Sequence, residues 1–171
     1  PNHDLLVFYH PQTLNQIHSL RNYLICKEKT GKFDNIDSWI RMVAINRLTG
    51  HSKGFFSTYT LPPNQAASVD AQSKINQKRG QVPSYKNVPE LILKKTKSLL
   101  RSGHVSNYSQ SLLLSDNVST TLSIGDSIVD LIVTSPPFLD IVDYKKDNWL
   151  RNWFANIDTE SLNIAHFKQI E

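Results

Sequence analysis

Apolar side chains recur at three- and four-residue spacing at Leu14, Ile17, Leu20, Tyr23 and Leu24. The spacing predicts an amphipathic helix that opens after the turn His10-Pro11-Gln12-Thr13 and ends near Gly31. A second helix, capped by Asp34 or Asn35, carries Ile36, Trp39, Ile40, Val43, Ala44 and Leu48 and is closed by Gly50. The aromatic, Thr-rich run Gly54 to Leu61 is either a short strand or an ordered loop. Pro62-Pro63-Asn64 makes a stiff turn with an N-cap for a third helix, from about Gln65 to Lys78, which Gly80 breaks. A fourth helix is expected from about Val88 to Leu100, with Pro89 in its first turn and Leu91, Ile92, Leu99 and Leu100 on its apolar side.

Beyond the polar stretch Gly103 to Gln110 the period changes. Ser111 to Leu114 and Val129 to Thr134 are short apolar runs bounded by Asp, Asn, Gly and Pro, the pattern of buried parallel strands. Tyr144 to Ile157 again reads as helix, with Trp149 and Trp153 four residues apart. The expected division is a mainly helical, basic region over residues 1–104 and a partial α/β core over 105–171.

Composition narrows the classes. The 171 residues are 39% hydrophobic and 20% charged, with one cysteine, Cys26. That length supports one ordinary core, and no apolar run is long enough to span a membrane. A single cysteine excludes a disulfide framework and a cysteine-rich zinc site. Pro1 to His10 lacks the basic flank and cleavage site of a secretory signal, so a cytoplasmic setting is expected. The net charge is only +4. Between Ala71 and His104, however, Lys74, Lys78, Arg79, Lys86, Lys94, Lys95, Lys97 and Arg101 face only Glu90, eight cations against one carboxylate. DNA phosphates are natural partners for such a segment, and a solvated helical face is the competing reading.

The stretch with the most chemistry is Asp130-Leu-Ile-Val-Thr134 followed by Ser135, Pro136, Pro137 and Phe138. A strand emptying into this corner would place it at the carboxyl edge of a sheet, where open α/β folds bind ligands. The two prolines fix φ and remove two donors, leaving the Ser135 carbonyl free of any helical partner. That carbonyl and the Ser135 hydroxyl can accept hydrogen bonds from an exocyclic amine. Phe138 offers a flat face for a base.

The run Thr134 to Phe138 (TSPPF) behind Asp130 to Val133 (DLIV) resembles the catalytic motif of bacterial DNA amino-methyltransferases: Asp, Asn or Ser, then Pro-Pro, then an aromatic residue. The Ser form is most typical of the N4-cytosine branch. Asp147 to Arg151, Asn46 to His51 and Leu61 to Gln65 also look similar to stretches of such enzymes. The resemblance implies a partial Rossmann-like, S-adenosylmethionine-dependent methyltransferase fold with a helical N-terminal part. It also implies methyl transfer to an exocyclic base amine, N4 of cytosine favoured over N6 of adenine, with Ser135, Pro136, Pro137 and Phe138 as the catalytic corner. Asp116, with Asn117 beside it, occupies the place where such folds contact the cofactor adenine. Lys74, Lys78, Arg79, Lys94, Lys95 and Lys97 are the expected DNA contacts.

The family's glycine-rich cofactor motif is absent: Gly31, Gly50, Gly54, Gly80, Gly103 and Gly125 include no Gly-x-Gly. The chain is therefore expected to be a piece of such an enzyme, with a second chain or missing segment supplying that motif. The competing expectation is a catalytically silent nucleic-acid-binding or subunit-interaction module. No metal site is expected. Asp140, Asp143 and Asp147 suggest a cation cluster, but Asp143 or Asp147 reads first as the cap of the following helix, and the six histidines lack ligand spacing.

Overall fold

The computed structural model describes residues 4–62, 65–101, 103, 112, 114, 121–134 and 143–161. A 3₁₀ turn, Leu5–Val7, precedes α1 (Pro11–Lys29), α2 (Asn35–Ile45), α3 (Val69–Arg79), α4 (Val88–Leu100), α5 (Tyr144–Asp147) and α6 (Trp149–Ala155). Local chemistry accounts for most of these bounds. Pro11 sits in the first turn of α1, and the His10 imidazole accepts from the Gln12 amide. Asp34 and Asp37 form a reciprocal capping box on α2, with hydrogen bonds of 2.8 and 3.1 Å. Ser68 caps α3 and Asn87 caps α4 through the Ala71 and Glu90 amides. Gly80 ends α3 in the left-handed region at φ 57°, as its lack of a Cβ permits.

Several boundaries differ from the periodicity. Helix α2 stops at Ile45 instead of running towards Gly50, because the Asn46 side chain bonds back to the Met42 carbonyl. Helix α3 begins at Val69 rather than near Gln65. The Gln65 side chain and the Ala66 amide are instead bonded to Asp147. The helix expected over 144–157 is broken at Asn148, whose side chain donates to the Tyr144 carbonyl.

Helices α1 and α2 each pack against α4 and α6, while the 3₁₀ turn packs against α1 and α3. Ile17 and Leu24 of α1, Val43 and Ala44 of α2, Val88 and Ile92 of α4, and Leu150 and Phe154 of α6 are buried in one core. Polar ties fix the arrangement. Thr13 donates to the Lys86 carbonyl and accepts from the Lys86 amide at 2.9 and 2.7 Å, and the Trp39 indole donates to the Thr96 hydroxyl. The Arg21 guanidinium binds the Trp153 carbonyl at 2.8 Å. The buried Tyr9 hydroxyl donates to the Leu48 carbonyl, and burial raises its pKa far above the ordinary phenol value.

The α/β, Rossmann-like expectation is overturned: the described residues contain no strand and no sheet. Leu112 and Leu114, the described members of the first expected strand, are exposed and unpaired in any ladder. The second, Val129 to Thr134, has extended neighbours nowhere among the described residues, and Leu131, Ile132 and Val133 are 78, 79 and 87% exposed. The physical reason is the core itself. Helix faces already close on one another, leaving no sheet surface against which a two-faced apolar strand could bury itself. Among the described residues only an isolated bridge, Gly50 to Tyr59, has β geometry.

Candidate nucleic-acid interface

The candidate DNA contacts fall on two helices. Lys74, Lys78 and Arg79 lie on α3 and are exposed. On α4, Lys94 and Lys97 are exposed and Lys95 is half-buried. Among the described residues none of the six has a carboxylate within salt-bridge distance. The ion pairs found use other cations: Lys27 with Asp37, Arg41 with Glu28, and Lys146 with Asp143. Within each helix, three- and four-residue spacing keeps Lys74 near Lys78 and Lys94 near Lys97. The two sets are carried by different packing, α3 on the 3₁₀ turn and α4 on α1 and α2.

The run Gly54 to Leu61 is an ordered loop, with Phe55, Phe56, Ser57 and Thr60 buried. The Phe56 amide donates to the Arg47 carbonyl, and the Thr60 amide to the Gly50 carbonyl. The Arg47 guanidinium lies 4.3 Å over the Phe55 ring, and desolvation lowers its pKa. At the loop's end the Tyr59 carbonyl accepts from both the Gln72 and Gln81 amides, at 3.0 and 2.8 Å. Both amides also donate to Asn76 Oδ1, and Asn76 donates to the Val7 carbonyl. The Tyr59 ring itself remains exposed, with the Arg79 guanidinium 3.8 Å over its centre. The sequence marked this loop without assigning Tyr59, Gln72, Asn76 or Gln81 any role. Their association depends on tertiary contacts that leave no periodic signal.

A cleft of about 620 Å³ opens where the 143–160 segment meets the start of α3. Ser68, Asp70, Asp143, Asp147, Trp149 and Glu160 are among its walls. The segment is held there by the Ala66 amide on the Asp147 carbonyl, 2.9 Å, and by the Trp149 indole on the Ala67 carbonyl, 3.1 Å. Asp143 caps α5. The Lys146 amide and then its ammonium hold the Asp143 carboxyl below the ordinary range, and that carboxylate raises Lys146 in turn. Trp149 and Trp153 are half-buried against the core, the latter beneath Arg21 at 5.2 Å.

Ser135, Pro136, Pro137 and Phe138, and likewise Asp116 and Asn117, lie outside the described residues. In the sequence Phe138 stands five residues before Asp143. The described glycines build no cradle for S-adenosylmethionine. Gly31 and Gly80 end helices in open space, a Cβ on Gly50 would meet the Phe55 ring, and none lines the cleft. The described residues therefore do not fit that cofactor. Nor do they include a group of three or more His, Cys, Asp or Glu able to hold a metal ion. No helix among them is long and apolar enough to cross a membrane. Compared with known protein families, curated proteins and solved structures, the chain finds no match.

Proposed function

We propose that the chain is the DNA-holding and base-receiving part of a cytoplasmic, site-specific DNA methyltransferase acting on an exocyclic amine, N4 of cytosine in preference to N6 of adenine. The observation that carries this reading is the Ser135-Pro136-Pro137-Phe138 run, tethered five residues ahead of a segment firmly bonded to the helical body. The cations of α3 and α4 support it, since none has a carboxylate partner among the described residues and each can exchange a counterion for a phosphate. In this reading the Ser135 hydroxyl and carbonyl accept the hydrogens of the target amine, and Phe138 stacks on the extruded base. S-adenosylmethionine would be held by residues of a second chain or another segment, because the described glycines offer it no cradle.

That same lack of a cradle favours a second reading: a nucleic-acid-binding or subunit-interaction module without catalysis of its own. Calorimetry with S-adenosylmethionine tests what the two readings share: no heat is expected from the isolated chain, and a heat of binding would show an autonomous cofactor site. The base-receiving role is tested with a duplex carrying a mismatched fluorescent cytosine analogue, where extrusion is cheapest. Binding is expected to change its emission, and Phe138→Ala to remove the change. A wild-type complex that forms without any emission change refutes base reception.

A further inference from the structure

We infer that Tyr59 and Arg79 form a stacking platform for an unpaired nucleotide at the edge of the DNA-binding surface. The inference rests on the DNA-holding role proposed above and names what one part of that surface reads. Three features carry it. First, Tyr59 is 42% exposed although its backbone carbonyl is tied to two side chains of the fold. Its carbonyl takes two side-chain amides, and the bridge to Gly50 ties down the loop on which it sits.

Second, that hold consumes buried polar groups. Gln72 is fully buried, and its Oε1 has no hydrogen-bond partner among the described residues. Leaving a buried acceptor unpaired is unfavourable. The network keeps an exposed aromatic residue in one place, an arrangement suited to contact with something outside the chain. Third, the Arg79 guanidinium lies 3.8 Å over the ring with no carboxylate partner among the described residues. A guanidinium stacked on a ring keeps its outer plane available for a base and its N–H edge available for a phosphate. Lys78 and Lys74 on the same helix extend the positive surface towards a flanking phosphate. A carboxylate-rich partner would use the charge but not the plane, and an apolar partner the plane but not the charge, so an unstacked base adjoining a phosphate is the ligand class that uses both.

The test compares two short labelled duplexes, identical except that one carries a single unpaired nucleotide, by fluorescence anisotropy. The wild type is expected to prefer the bulged duplex by about tenfold, the size of one base–aromatic stack. Tyr59→Ala and Arg79→Lys should each bring the ratio of the two affinities to near unity, because lysine keeps the charge and loses the plane. Tyr59→Phe should retain the ratio, which separates loss of stacking from loss of fold. Lys94→Gln should weaken both duplexes together and leave the ratio as in the wild type. The inference is overturned if the wild type binds both duplexes equally, or if the preference survives Tyr59→Ala and Arg79→Lys. Absence of salt-sensitive binding to either duplex overturns the DNA-holding role as well.

Discussion

Replacing Lys94 and Lys97 together by Gln tests whether α4 meets phosphates. Both side chains are exposed, three residues apart on one helix, and unpaired among the described residues. The substitution therefore removes charge without removing packing. Each phosphate contact contributes about 0.9 to the slope of log affinity against log salt on duplex DNA, so losing two lowers the slope by about 1.8. Between about 50 and 200 mM salt, that difference makes the variant's fall in affinity about twelvefold smaller than the wild type's. Anisotropy titrations of one duplex across a salt series give both slopes directly. Arg41→Gln is the matched control. Its guanidinium is already paired with Glu28 at 3.1 Å and lies 4.3 Å over Phe33, so the slope should not change. Parallel lines for wild type and the α4 double variant would refute phosphate contact by this helix. An unchanged melting temperature would show that the variant is folded.

Three further outcomes follow from the packing. Gly50→Ala places a Cβ 2.5 Å from the buried Phe55 ring and should destabilise the protein by about 1–3 kcal/mol in urea unfolding; a neutral result would show that the loop yields freely. Burial alone would raise the Asp37 carboxyl, but the Asp34 amide, the Lys27 ammonium and the Tyr23 hydroxyl together hold it below its ordinary value. Its contribution is therefore complete above about pH 4 and is lost as pH falls through the lower folded value. Asp37→Asn should melt earlier at neutral pH and converge with the wild type in acid, whereas parallel melting curves would contradict this. Lys27, raised chiefly by its hydrogen bond to Asp37, contributes at neutral pH and loses that contribution only as pH rises through its folded value. Phe154→Ala should cost about 3–5 kcal/mol if α6 shares the core of α1, α2 and α4, and a chemical melt showing a small loss would place it outside.

Helices were legible in the sequence where caps and period agreed. Pro89 and the apolar spacing marked α4 from about Val88 to Leu100, and Gly80 marked the end of α3. Core membership was less legible. Leu99 shares a face with Ile92 by spacing, yet Leu99 and Leu100 are exposed in the last turn while Val88 and Ile92 are buried, so the core ends before the helix does. Buried Thr13 and Gln72 were invisible, because each is tied to partners distant in sequence, Lys86 and Tyr59.

The expected strands show a different limit. Val129 to Val133 has the composition of a buried parallel strand, but composition states only that both faces are apolar. Burial needs two neighbouring strands and two covering layers, none of which the helical core provides. An apolar run therefore identifies surface that needs a partner, not the partner itself. The same distinction applies to the candidate site. Ser135 to Phe138 names groups able to accept an amine and stack a base, while α3 and α4 supply charge that any polyanion would feel. Specific function requires both to meet one DNA molecule. Phe138 stands five residues ahead of Asp143 in the sequence, and the 143–155 segment is bonded to the helical body. The function proposed above therefore stands only if a duplex whose affinity depends on Lys94 and Lys97 also responds to Phe138→Ala.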